Sequence, residues 1–241
     1  MASTDQHYEQ LLAPIYEWMA GGAEAALTAG AADLEGLLHS PGLCLDLGAG
    51  FGMHAIPLAQ AGFEVIAIDS SAQLLARLQE LAGSLPIQSV CADLLDFPEH
   101  LPAGRKPSLI VCMGDTLTHL DSLEAVDRLA SLAAEHLAPG GRFLATFRDY
   151  SQPLQGDRRF IPVRSDQSRI LTCFLEEQGD RICVHDILHE RQGDQWTMQV
   201  NHYLQLRLAP ETVRQIFVDK GFMTQIEAAP RGMLRLISDR H

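Results

Sequence analysis

Three glycines at alternate positions, Gly48, Gly50 and Gly52, follow the apolar run 43–47, whose one acidic residue is Asp46. A glycine-rich turn between a strand and a helix lets a ligand approach backbone N–H groups. Two further carboxylates follow apolar runs downstream. Asp69 comes after 65–68, 21 residues beyond Gly48, and Asp93 comes after 87–91. A carboxylate in the position of Asp69 can accept both hydroxyls of a ribose. Asp93 can accept an adenine amino group, and Met113, closing the run 109–113, offers an apolar surface to the ring. In sum, the spacing describes a seat for an adenosine.

Two classes of adenosine ligand use such a turn, and charge separates them. In a dinucleotide fingerprint the third glycine falls three residues after the second. Here that place is Met53, and the glycine comes one position early, at Gly52. Asp46, two residues before Gly48 on the same strand face, would stand close to a pyrophosphate. At an effective dielectric of ~20, two charges ~4 Å apart interact by about 4 kcal/mol, which opposes an anion and favours a cation. S-adenosylmethionine carries an ammonium and a sulfonium and no phosphate, so it meets the requirement.

The elements that must hold these residues are legible from periodicity. Over residues 5–38, Tyr8, Leu11, Leu12, Ile15, Trp18 and Met19 recur at helical spacing, broken by Pro14 and Gly21-Gly22, and a second helix continues through the alanines to Leu38. The runs 43–47, 65–68, 87–91 and 109–113 suit strands buried on both faces, with a fifth at 141–147. Helical segments 52–61, 71–83 and 121–137 separate them. The last opens with Asp121 three residues before Glu124, in the manner of a capping box. This alternation predicts a doubly wound, Rossmann-like α/β sheet. Residues 151–208 follow another rhythm: Trp196, Met198, Val200, His202, Leu204, Leu206 and Leu208 alternate with a period of two. Turn signals around Gly179 and Gly193 divide the segment into about three antiparallel strands with one apolar face turned to the core of a lid. The organisation expected is an N-terminal helical cap (1–40), an α/β core (41–150 with 209–241) and an antiparallel β insertion (151–208) over the site.

Asp-Leu-Gly-Ala-Gly-Phe-Gly, then Ile-Ala-Ile-Asp, Ala-Asp-Leu and Leu-Ala-Pro-Gly-Gly-Arg-Phe resemble the class I S-adenosylmethionine-dependent methyltransferases. The resemblance covers roughly residues 41–150 and the terminal helix and strands. It implies a seven-stranded sheet with its last strand antiparallel, and cofactor contacts at Asp46, Gly48, Gly50, Asp69, Asp93 and Met113, with Ala49, Gly52, Ser70 and Leu94 beside them. The Met-Gly-Asp-Thr-Leu-Thr-His-Leu stretch, Arg148-Asp149-Tyr150 and the antiparallel insertion are similar to small-molecule enzymes such as glycine N-methyltransferase. In those an N-terminal tyrosine closes the methionyl end, a role that falls to Tyr16, with Tyr8 in reserve. Ala49 and Phe51 depart from the commoner turn sequence and leave its geometry intact.

Methyl transfer from a sulfonium is an in-line displacement with an activated leaving group, so positioning and exclusion of water dominate. A base is needed only where the nucleophile arrives protonated. His119, four residues after Asp115, is the candidate for that task, and the alternative is a packing role. Arg148, with Tyr150 beside it, ends the fifth strand and can hold a substrate carboxylate; an ion pair with Asp149 or another local carboxylate is the competing reading. His185 and His189 stand ~13 Å apart on an extended strand, and His202 opposite one of them makes two ligands at most, so no metal site is expected.

Composition narrows the field. A net charge of −13 and the absence of any basic run argue against nucleic acid and anionic membrane as partners. No apolar stretch reaches the ~18 residues of a membrane span, the N-terminus has no signal-like segment, and five cysteines without a C-x-x-C fit a reduced cytoplasmic protein. Cys44, Cys91 and Cys112 are expected in the core. The sequence leaves the methyl acceptor and the oligomeric state open. Two other readings stay in play: a nicotinamide-dependent oxidoreductase, and a protein that binds S-adenosylmethionine without catalysis.

Overall fold

A computed structural model describes residues 12–241; Tyr8 and Leu11 lie outside the described residues. A 3₁₀ turn (Ala13–Ile15) begins at Pro14 and leads into α1 (Tyr16–Met19), and α2 (Ala23–Leu34) follows the Gly21-Gly22 break. The second helix stops at Leu34, four residues short of the expected Leu38, where Glu35 turns extended. Strands β1 (Leu43–Leu47), β2 (Glu64–Asp69), β3 (Ile87–Cys91), β4 (Leu109–Cys112) and β5 (Arg142–Phe147) run parallel to one another. Between them run α3 (Ala55–Gln60), α4 (Ala72–Ala82) and α5 (Leu123–His136).

A four-stranded antiparallel sheet comes next: β6 (Phe160–Ser165), β7 (Arg169–Gln178), β8 (Arg181–Gln192) and β9 (Gln195–Leu206). The chain returns through α6 (Pro210–Asp219), β10 (Phe222–Ala229) and β11 (Met233–Arg240). The large sheet has the order β10-β11-β5-β4-β1-β2-β3, and β11 runs antiparallel to both its neighbours. This is the seven-stranded arrangement that the alternating pattern and the resemblance implied.

Both central strands β1 and β4 are buried along their whole length, with apolar clusters on each face of the sheet. Strand β3 differs from the expectation of two-sided burial. It is the sheet edge, partly exposed throughout, and Cys91 at its end is exposed instead of in the core. Helix starts also shift by a residue. Ser71 Oγ accepts from Leu74 N at 3.3 Å, and Ser122, in place of the expected Asp121, caps α5 by accepting from Ala125 N at 3.2 Å.

The small sheet has four strands where about three were expected. The overlooked β6 contains Pro162, and its pairing with β7 shifts register between Pro162 and Arg164, the mark of an edge strand with a bulge. The turns at Gly179 and Gly193 fall where the sequence put them. The larger departure concerns β9. Trp196, Met198, Val200 and Leu204 are exposed by 38–62%, so that part of the alternating stripe faces solvent instead of a lid core, whereas Leu206 and Leu208 at its end are buried in the main core. On the opposite side of β9 Tyr203 and Gln205 turn inward, while Gln195, Thr197 and Gln199 are exposed. At the far end of the small sheet, Ile15 packs with Leu171 and Leu188 while Trp18 donates to Asp166 at 2.5 Å, so α1 clasps this sheet from within.

Helix α2 meets the glycine-turn region backbone to backbone. A Cβ at Gly30 would stand 1.9 Å from the carbonyl oxygen of Met53. Alanine normally gains up to ~1 kcal/mol over glycine inside a helix, whereas overpacking costs ~1–3 kcal/mol or more. Since the obstruction is main chain and cannot rotate away, Gly30→Ala is expected to destabilise the protein by about 2 kcal/mol. Urea unfolding reads this directly; an unchanged or higher midpoint would mean that the helix does not sit so close.

Candidate functional site

The cavity lies where β1, β2, β3 and β4 end at their carboxyl edges, the crevice in which open α/β sheets bind ligands. It encloses about 560 Å³. Gly48 and Gly50 form its rim on the β1 side, both with positive φ (77° and 54°). Their roles differ. A Cβ at Gly48 would press on Thr116 at 2.5 Å, whereas one at Gly50 would meet nothing within 4 Å and would project into open space. Gly52, also expected at the cofactor, is a packing residue: its Cβ would collide with Leu78 and Ile56. Ala49 is likewise buried, donating from its N–H to the Ile68 carbonyl at 3.0 Å.

Asp69 holds the turn closed. Its Oδ2 accepts from Gly50 N at 2.7 Å and its Oδ1 from Ser71 N at 2.8 Å, which joins the glycine loop to the start of α4. A carboxylate has about four acceptor sites, so both oxygens keep capacity for ribose hydroxyls. Asp93 caps the 3₁₀ turn Leu94–His100 through Leu95 N at 2.7 Å and lines the cavity with Leu94. Ser70, Met113 and Tyr16 complete the wall, the tyrosine ring edge-on to Phe51 with centroids 5.9 Å apart.

Below the turn lies Asp46, 1% exposed and outside the residues that line the cavity. Neither carboxylate oxygen makes a well-formed hydrogen bond among the described residues, and only the Ala55 backbone N–H acts on it as a weak donor. Burial pushes its carboxyl up to about 6, with the Asp69 charge adding to the rise and His54 opposing it. An unpartnered buried carboxylate is costly unless a cation meets it.

The second constellation sits between β4, β5 and the inner face of the small sheet. Asp115, in a left-handed conformation (φ 76°), is 6% exposed. Its Oδ1 accepts from the backbone N of Arg148 at 2.9 Å, and the Arg148 Nε lies 3.5 Å from its Oδ2. Burial pushes Asp115 up even with that guanidinium beside it. The competing reading of Arg148 as an ion pair therefore has a partner, Asp115 and not Asp149. Arg148 and Tyr150 do not line the cavity; Tyr150 is 4% exposed, its hydroxyl 3.4 Å from Gln205 Oε1.

Gln205 is the residue the sequence reading missed, and it links the expected pair. Its Nε2 stands 3.4 Å from Asp115 Oδ2 and 3.5 Å from His119 Nε2. His119 lines the cavity and stacks on Tyr203 at 5.4 Å. Both Tyr203 and Gln205 lie on the polar side of β9, the side masked in the sequence by the stronger apolar alternation of its neighbours. A metal reading confined to histidines also missed a cluster. On the outer face of the small sheet, Glu176, Cys183 and His185 bring three donor atoms within 4.8 Å of one another, with His185 Nε2 3.5 Å from Glu176.

Residues 44–141 match the methyltransferase domain family. That segment, from the first strand to the start of the fifth, is the part of the chain that resembles a methyltransferase domain. Over 97 residues it is 32% identical to glycine/sarcosine N-methyltransferase of Aphanothece halophytica, an alignment that covers 39% of this chain and 35% of that protein. The chain spans about a third to just over half the length of the curated relatives it matches. The methyltransferase fold extends well beyond the matched segment. DesVI of Streptomyces venezuelae superposes with a TM-score of 0.75 at 19% identity, over 95% of this chain and 98% of that one. An amino pentose methyltransferase of Micromonospora echinaspora, solved with S-adenosylmethionine bound, gives 0.73 at 15% identity over 95% and 96%. Among the described residues no helix is long and apolar enough to cross a membrane.

The Asp46 carboxyl binds its proton more tightly in the folded than in the unfolded chain, so its contribution to stability falls as pH rises from about 4 to about 6 and stays low above that. Asp46→Asn has no such titration. Relative to wild type, the variant is expected to gain about 3 kcal/mol between pH 4 and pH 7, on the scale of 1.36 kcal/mol per pKa unit. Urea unfolding of both proteins at the two pH values tests this. A difference that does not move with pH would place the carboxylate in contact with solvent or a partner.

Proposed function

We propose that the protein is an S-adenosylmethionine-dependent methyltransferase whose acceptor is an amine nitrogen on a small molecule. The observation that carries the cofactor is the orphaned Asp46 carboxylate beneath a glycine turn with open space at Gly50. A sulfonium and an ammonium satisfy that charge, and a pyrophosphate aggravates it. Asp69 would hold the ribose, Asp93 the adenine amino group and Met113 the ring face, with Tyr16 closing the methionyl end. Bound there, the cofactor supplies a methyl group on an activated sulfur.

The chain's own residues do the rest. Asp69 fixes the loop through Gly50 and Ser71, so the cradle is formed before ligand arrives. The four-stranded sheet, joined to α1 at Trp18, would cover the site and exclude water when ligands are bound. Its inner face presents Tyr203 and Gln205 to His119. An amine arrives mostly as ammonium at neutral pH and must lose a proton before it attacks; His119 Nε2, on the cavity wall, is the acceptor for it. Asp69, Asp93 and Asp121 line the same cavity and draw cations toward it, which favours amines over neutral hydroxyls. The names of the relatives, an N-methyltransferase of glycine and sarcosine and an amino pentose methyltransferase, point the same way.

A carboxylate on the acceptor would have to share Arg148 with Asp115. Turnover of S-adenosylmethionine to S-adenosylhomocysteine, measured against amino acids, small amines, amino sugars and matched alcohols, is expected only with the nitrogen compounds. If an amino acid is the substrate, Arg148→Ala should raise its KM about tenfold or more, the scale of one charge-assisted hydrogen bond, while cofactor affinity holds. Turnover of alcohols alone would reject the amine, and an unchanged KM would reject the carboxylate anchor.

A further inference from the structure

The exposed apolar stripe on β9 has no part in the site, which lies on the other side of the same strand. Six of the eight large hydrophobic side chains exposed among the described residues, Phe160, Ile170, Trp196, Met198, Val200 and Leu204, fall on one face of the four-stranded sheet. The registers show why. Met198 faces His189 across β8, and His189 faces Ile170 on β7; Val200 similarly leads through Ile187 to Thr172. A continuous row of rings crosses all four strands: Phe160 to Phe174 at 5.1 Å, Phe174 to His185 at 5.6 Å, and His185 to His202 at 5.6 Å. Scattered exposed hydrophobics are ordinary, but a contiguous patch on a monomer's surface marks a place of contact.

We propose that this outer face seats a second copy of the same chain, forming a two-fold dimer in which the two small sheets pack face to face. Three observations select a second copy over another partner. The first is size. One strand of 6 residues, one of 10 and two of 12, at ~3.3 Å per residue and side by side at ~4.8 Å, make a face of roughly 630 Å² in projection. That is close to the ~800 Å² each partner gives to a stable interface.

The second is charge. A chain with 31 acidic residues and a net charge of −13 repels its own copy over most of its surface. Yet at the outward positions of β7, β8 and β9 there is one carboxylate, Glu176, against Arg181, Arg191 and three histidines. Acid is depleted where two copies would have to meet. The third is symmetry. A two-fold contact brings each patch against itself, so a neutral, apolar face is self-complementary, whereas a strongly charged one would need a partner of opposite sign. Sheets packed this way lie ~10 Å apart, with inner side chains interdigitated, a distance that Trp196, Met198 and Phe160 are long enough to fill.

The period of two makes the proposal separable from the catalytic reading. Outward Met198 and Val200 can be changed without touching inward Tyr203 or Gln205. Light scattering coupled to gel filtration at micromolar concentration should give the wild type a mass twice that of the 26.5 kDa chain. The Met198→Glu/Val200→Glu variant should run as a single chain, with circular dichroism and S-adenosylmethionine affinity as in the wild type. Should that variant misfold, the milder Ile170→Ser/Met198→Ser pair should still raise the dimer dissociation constant at least tenfold. A wild type of single-chain mass overturns the proposal whatever the variants do. A dimer that persists undiminished in folded forms of both variants overturns this face as its seat.

Discussion

Asp46 is a carboxylate placed where water cannot reach it and where its oxygens make no well-formed hydrogen bond among the described residues, the Ala55 backbone N–H and His54 only partly easing its burial, and the turn above it is built around that placement. It sits at the carboxyl end of the most enclosed strand of the sheet, flanked by β2 and β4. The chain then turns through Gly48 and Gly50 in conformations that side-chain-bearing residues avoid. Replacing such a carboxylate by an apolar residue would relieve the cost of burying it. In the proposed reading, a ligand that brings positive charge would offset that cost, and the buried carboxylate would select for a cation and against phosphate. Differential interaction of this kind is what lets one strand–turn–helix serve separate cofactor classes.

The turn itself is held from the side. Asp69 ties Gly50 to Ser71, so the ends of β1 and β2 move as one unit. A second chain of polar contacts runs from the scaffold to the covering sheet. Asp33, kept below the usual carboxylate range by His54 and Arg231 against the opposing effect of burial, anchors the 231 turn. The carbonyl of Arg231 lies 3.5 Å from Arg148 Nη1, and Arg148 pairs with Asp115, which meets Gln205 of β9. Groups buried in this way must be satisfied together, which gives the inner face of the small sheet a defined position against Asp115 and His119.

Most of the large sheet was legible because its signals are local and strong. Buried parallel strands read as unbroken apolar runs, and Gly48, Asp69, Asp93 and Met113 carry the spacing of strand ends. Tyr16, His119 and Leu94 also reach the cavity wall. What the sequence concealed was orientation. Alternation in β9 reveals that one side is apolar and leaves open which side meets the interior, and the assumption that apolar means inward misplaced Trp196, Met198, Val200 and Leu204, though not Leu206 and Leu208. Tyr203 and Gln205 were lost with it. Strand β6 was hidden by Pro162 and a register shift. Gly52 was read as a ligand contact because spacing cannot separate a glycine that admits a ligand from one that admits Leu78 and Ile56. The partner of Arg148 was also out of reach, since Asp115 arrives from the turn after β4, 33 residues away.

The claim that a buried carboxylate selects a cationic cofactor has a direct thermodynamic signature. Near pH 6, where Asp46 is close to half-protonated, S-adenosylmethionine should favour the ionised form and expel a fraction of a proton on binding. Calorimetry in two buffers of different ionisation enthalpy, run on the wild type and on Asp46→Asn, measures that fraction. Release of about half a proton by the wild type and much less by the variant is the result the account predicts; equal proton release in both proteins, or none, would contradict it.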